Sequence, residues 1–71
     1  MEANKEKILD YLQGKGPCLY TEIQFGCGLK SFDCTQAIRA LYEEDRIMTS
    51  GSLDSMSLAT KAYIKIWVNE G

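Results

Sequence analysis

No histidine occurs anywhere in these 71 residues. The one side chain that titrates near neutral pH is therefore missing, and with it the commonest general acid or base. There is also no glycine-rich phosphate loop, no serine-nucleophile motif and no pair of carboxylates in an evident cleft, so neither an enzyme nor a bound cofactor is expected. Cysteine is scarce and odd in number. Cys18, Cys27 and Cys34 cannot all pair within one chain, which argues against a secreted disulfide scaffold. A zinc site takes four ligands, and without histidine or a Cys-x-x-Cys pair it would have to borrow carboxylates or a second chain, so no metal is expected. No apolar run approaches the roughly 20 residues of a membrane span. The N-terminus is charged and lacks the apolar core of a signal peptide. These absences point to an intracellular protein, in the cytoplasm or the nucleus or nucleoid, with no membrane contact.

Apolar residues make up 45% of the chain and charged residues 25%, with the two signs interspersed, as in a globular protein. The length suits one small domain over residues 1–71, near the size at which a single core is only just sufficient. A net charge of −2 and a pI near 4.9 count against nucleic acid as a partner, because phosphate contacts supply most non-specific affinity. The distribution of charge qualifies this. Lys30 and Arg39 lie toward the start of one helical stretch, whereas Glu43, Glu44 and Asp45 gather at its end.

Three helices are expected, at about 4–13, 22–27 and 32–45. Asn4 is placed as the N-cap of the first, whose apolar arc is Ile8, Leu9, Tyr11 and Leu12, and Gly14, Gly16 and Pro17 stop it. Thr21 followed by Gln24 reads as a capping box opening the second helix. Gly26 and Gly28, on either side of Cys27, then make a tight corner over 26–30. Ser31 is assigned as the N-cap of the third helix, with Asp33 in its first turn. At 100° per residue Cys34, Ala37, Ile38, Leu41 and Tyr42 share its core side, while Phe32, Gln36, Arg39 and Glu43 face outward with Thr35 on the flank. Cys34 then serves as a small core hydrophobe, and Cys27 is the thiol expected at the surface.

The remaining chain reads as strand. Leu19 and Tyr20 make a short extended bridge, 47–50 a second strand, and 62–68 a third that alternates clearly. There Ile64, Ile66 and Val68 share one face, and Tyr63, Lys65 and Trp67 the other. The last two form a hairpin over about 47–68. The order helix, strand, helix, helix, strand, strand defines an α+β domain of three helices with a small antiparallel sheet.

That order resembles the winged-helix, or winged helix-turn-helix, family over nearly the whole chain, with the hairpin as the wing. More narrowly, the runs Lys5-Glu6-Lys7-Ile8-Leu9-Asp10-Tyr11-Leu12 and Ile38-Arg39-Ala40-Leu41-Tyr42-Glu43-Glu44-Asp45-Arg46-Ile47 are similar to the Z-DNA and Z-RNA binding domains of double-stranded-RNA deaminases and their viral relatives. Those domains carry Asn and Tyr one turn apart on the recognition helix, where this chain has Thr35 and Arg39, and a proline pair before the wing tryptophan, which this wing lacks. The resemblance implies a small DNA-binding transcriptional regulator whose partner is duplex DNA, with a Z-form or RNA duplex as the narrower version.

In a helix-turn-helix the start of the second helix enters the major groove. Gln36 can pair with adenine, Arg39 with guanine or phosphate, and Thr35 with phosphate or a thymine methyl. Lys30 and the amides beginning at Ser31 can hold a phosphate. Phe32 on the helix and Lys61 in the wing complete the expected nucleic-acid surface. A second reading starts from Leu53, Met56 and Leu58, which are unusual in a solvated loop. Either they tuck onto the core or, exposed beside Tyr63 and Trp67, they make an apolar patch of the kind that marks a protein–protein or homodimer interface.

Overall fold

The computed structural model describes residues 2–51 and 63–70. It contains α1 (Glu2–Leu12), β1 (Cys18–Leu19), α2 (Tyr20–Cys27), α3 (Ser31–Glu43), β2 (Ile47–Thr49) and β3 (Lys65–Val68). Among the described residues the structure is α+β, with three helices covering one three-stranded antiparallel sheet of order β1-β3-β2. β3 is the central strand. Cys18 and Leu19 pair with Ile66 and Lys65 on one side, and Ile47, Met48 and Thr49 pair with Val68, Trp67 and Ile66 on the other. This long-range partner is what lets a two-residue β1 exist, since so short a strand has no stability alone.

The core lies between the helices and the inner face of β3. Ile8, Leu9 and Leu12 of α1 meet Tyr20 and Ile23 of α2, Cys34, Ala37, Ile38 and Leu41 of α3, and Ile47, Ile64 and Ile66 of the sheet region, all buried. Each fully buried aliphatic side chain contributes on the order of 1.5–3 kcal/mol of transfer free energy. The expected alternation holds from Tyr63 to Ile66, with Ile64 and Ile66 buried and Tyr63 and Lys65 exposed, but the strand begins only at Lys65, and Trp67 and Val68 are both half-buried.

Several boundaries differ from expectation, each for a local reason. α1 already includes Glu2, so Asn4 is a helical residue and not the cap. α2 opens a residue before Thr21. Leu19 is its N-cap, and the Glu22 carboxylate accepts the Leu19 N–H at 3.0 Å, which displaces the Thr21–Gln24 box. Tyr20, expected to be extended, begins the helix, and its N–H donates to the Ile64 carbonyl at 3.2 Å. α2 continues through Gly26 and Cys27 and ends at Gly28, whose φ of 67° is the left-handed turn that glycine adopts without strain. Lys30, not Ser31, is the N-cap of α3. α3 stops at Glu43 because Asp45 turns left-handed at φ 59°, and Tyr42 is 40% exposed, off the core face.

Charge closes the structure on one side. Lys5 is buried on α1 and its ammonium donates to the Glu44 carboxylate at 2.6 Å. Arg46 adds contacts of 3.6 Å to both Glu6 and Glu44. The acidic run at 43–45 is therefore only partly a solvated helix end: Glu44 ties the end of α3 to α1.

Candidate nucleic-acid interface

The geometry of α3 follows from its apolar period. With Cys34, Ala37, Ile38 and Leu41 each at 0% exposure, the residues about half a turn away must point to solvent. Phe32 is 71% exposed, and Gln36, Arg39 and Glu43 are exposed with it. Lys30 and Ser31 are exposed at the start of the helix, where no side chain caps the first amides. Those N–H groups and the positive end of the helix dipole face the same solvent as the Lys30 ammonium. The short turn Gly28–Lys30 between α2 and α3 sets this position.

Thr35 stands apart from the other expected contacts. It is half-buried, and its hydroxyl is hydrogen-bonded to the Tyr20 phenol. Tyr20 in turn donates to the Ser31 carbonyl at 3.1 Å. The phenol has one proton, so with Ser31 as acceptor it receives the Thr35 proton. Burial, only partly offset by the bond from Thr35, raises the Tyr20 phenol above its ordinary range and keeps it neutral. The Thr35 hydroxyl thus serves the α2–α3 joint first, which leaves Gln36, Arg39 and Phe32 as the unobstructed outer set.

Among the expected partner-binding residues, Tyr63 is 82% exposed, but Trp67 is half-buried beside Leu12, Gly16 and Pro17 at the end of the sheet. Lys61, Leu53, Met56 and Leu58 lie outside the described residues.

Cys27 is a free thiol and the most exposed of the three cysteines, since Cys18 and Cys34 are buried. It is the last residue of α2, half-buried, with its Sγ directed at the Lys7 carbonyl at 3.6 Å. Burial raises its pKa, against a lowering by Lys7. Cys18 is raised too, by burial and then by Glu22. Both are held as thiols, the form that is a poor nucleophile and a poor metal ligand.

Two features escaped the sequence reading. Phe25 on α2 is 77% exposed; its position two residues after buried Ile23, a step of about 200° on a helix, would have placed it outward. The other is an open groove at the far end of α3, lined by Tyr42, Glu43, Asp45 and all of Ile47 to Gly51. No helix among the described residues is long and apolar enough to cross a membrane.

No protein-family model, no curated protein and no solved structure matches this chain.

Proposed function

We propose that the chain is a winged helix-turn-helix module that binds duplex nucleic acid, most simply as a small transcriptional regulator reading duplex DNA with the outer face of α3. The observation that carries this reading is the division of α3 into a fully buried face and an outer face bearing Phe32, Gln36 and Arg39 in solvent. An element whose apolar side is saturated by the core presents its other side rigidly, which base reading requires. The order of elements and the pairing of β1 with β3 support the winged-helix assignment. Gln36 and Arg39 are the base-reading or phosphate groups, and Lys30 with the uncapped amides after it is the phosphate anchor. Thr35 acts through its bond to Tyr20, as a positioning residue.

The test is a titration of labelled duplex DNA at two salt concentrations. Specific binding that weakens with salt is the expected result, and Arg39→Ala should lower affinity by about 1–3 kcal/mol at unchanged stability if the guanidinium pairs with a base. If Arg39 meets phosphate instead, the salt slope should fall by about 0.9 in B-DNA. Unchanged affinity and slope in Arg39→Ala would refute the assignment. Competition with left-handed DNA and with duplex RNA tests the narrower version.

Exposed Phe25, Phe32 and Tyr63 favour a second reading, a protein-interaction or dimerisation module without direct DNA contact. Absence of duplex binding together with concentration-dependent self-association would select it.

A further inference from the structure

At the acidic end of α3 the sheet stops on an open edge. β2 has β3 on one side and, among the described residues, no strand on the other. The hydrogen-bond phase can be read from the bonds that flank it. The Arg46 carbonyl accepts from Asn69 N–H at 3.1 Å, and Ser50 N–H donates to the Lys65 carbonyl at 3.0 Å. Even-numbered residues therefore turn their backbone toward β3. Antiparallel alternation then sends the N–H and C=O groups of Ile47 and Thr49 to the open side. A groove of about 730 Å³ runs along this edge. Consecutive residues from Ile47 to Gly51 line it, as a channel beside a strand must be lined, because a groove on either face alone would meet only alternate residues.

The remaining walls define the occupant. Tyr42 and Met48, 40% and 44% exposed, supply apolar surface, and the exposed carboxylates of Glu43 and Asp45 supply charge. No cation is among the groove's described lining residues, and Arg46 is turned to Glu6 and Glu44. A phosphate backbone would be repelled here. An antiparallel second copy paired about Met48 would set its Gly51 opposite Asp45, so it would bring no cation to these carboxylates.

We propose that this edge is a docking site for an extended, lysine- or arginine-bearing segment of another protein. The segment adds a strand to β2, takes its backbone bonds from Ile47 and Thr49, packs an apolar side chain on Tyr42 and Met48, and sets its cations against Glu43 and Asp45. Strand addition of this kind draws affinity from the backbone and specificity from alternate side chains. The site is separate from the start of α3. From Lys30 to Asp45 the helix rise covers roughly 20 Å, so a nucleic acid and a basic peptide can be held at opposite ends of one helix.

The experiment is an amide-shift titration of the full chain with an octapeptide of alternating lysine and valine, its counterpart with glutamate for lysine, and the lysine peptide N-methylated at alternate residues. Expected are shifts centred on residues 42–51 with the lysine peptide, little response to the other two, and roughly ten-fold weaker binding in the Glu43→Gln, Asp45→Asn double variant. Asparagine tolerates the left-handed backbone at position 45, so that variant keeps the fold. Any of three results overturns the proposal: equal binding of the glutamate peptide, shifts that fall elsewhere or fail to appear, or full affinity of the N-methylated peptide. A dimer of the chain alone that the lysine peptide dissociates would also overturn it, by assigning the edge to a second copy.

Discussion

Replacing Tyr20 by phenylalanine isolates the joint on which the orientation of α3 depends. Tyr20 is 1% exposed, and the ring stays buried in Tyr20→Phe, so the apolar contribution is retained and only the hydroxyl is lost. That hydroxyl donates to the Ser31 carbonyl at 3.1 Å and is hydrogen-bonded to Thr35. At a net contribution of about 0.5–1.5 kcal/mol per bond, these two bonds together contribute about 1–3 kcal/mol. The expected loss is smaller, about 1–2 kcal/mol, because Thr35 can redirect its proton to a carbonyl one turn back along its own helix. Against a total of about 4–10 kcal/mol for a chain of this length the loss is large. It corresponds to a drop in Tm of about 4–8 °C per kcal/mol. Urea unfolding should show a lower midpoint at an unchanged slope, since the surface exposed on unfolding is the same. Thr35→Val should cost a similar amount, and the double variant less than the sum, with a coupling of about 0.5–1.5 kcal/mol. Additive losses, or a Tyr20→Phe protein as stable as the parent, would refute the reasoning.

Other perturbations follow from the same contacts. A Cβ on Gly26 would sit 2.3 Å from Cε1 of the Tyr11 ring, so Gly26→Ala must push the ring aside. Its gain of about 1 kcal/mol in helix propensity should emerge in thermal melts only when Tyr11→Ala is present. Gly28→Ala should destabilise by about 1–2 kcal/mol in the same assay, since the φ of 67° that closes α2 is costly for any residue with a Cβ. The Glu44 carboxyl is held below its ordinary range, chiefly by the hydrogen bond from Lys5. A depressed carboxylate contributes stability above its unfolded pKa and loses it as pH falls through the folded one. The difference in melting temperature between the parent and Glu44→Gln should therefore be present at neutral pH and close in acid below the usual carboxylate range. A difference that persists there would dismiss the ion pair.

The chain order of the elements, the core face of α3 and the alternation from Tyr63 to Ile66 were legible in the sequence, because each is a repeat of apolar residues at a fixed local spacing. The spacing of Cys34, Ala37, Ile38 and Leu41 placed Gln36 and Arg39 outside without reference to anything else in the chain. Caps were not legible in the same way. The sequence pointed to Thr21–Gln24 as the start of α2, and burial of Tyr20 with its N–H on Ile64 moved that start to Leu19 and Glu22. The engagement of Thr35, the recruitment of Glu44 by Lys5 across 39 residues, and the open edge left when β3 took the centre of the sheet were likewise decided only by the tertiary structure. Periodicity fixes the direction in which a side chain leaves its own element. The partner it meets there depends on which distant segment the packed core brings within hydrogen-bonding distance.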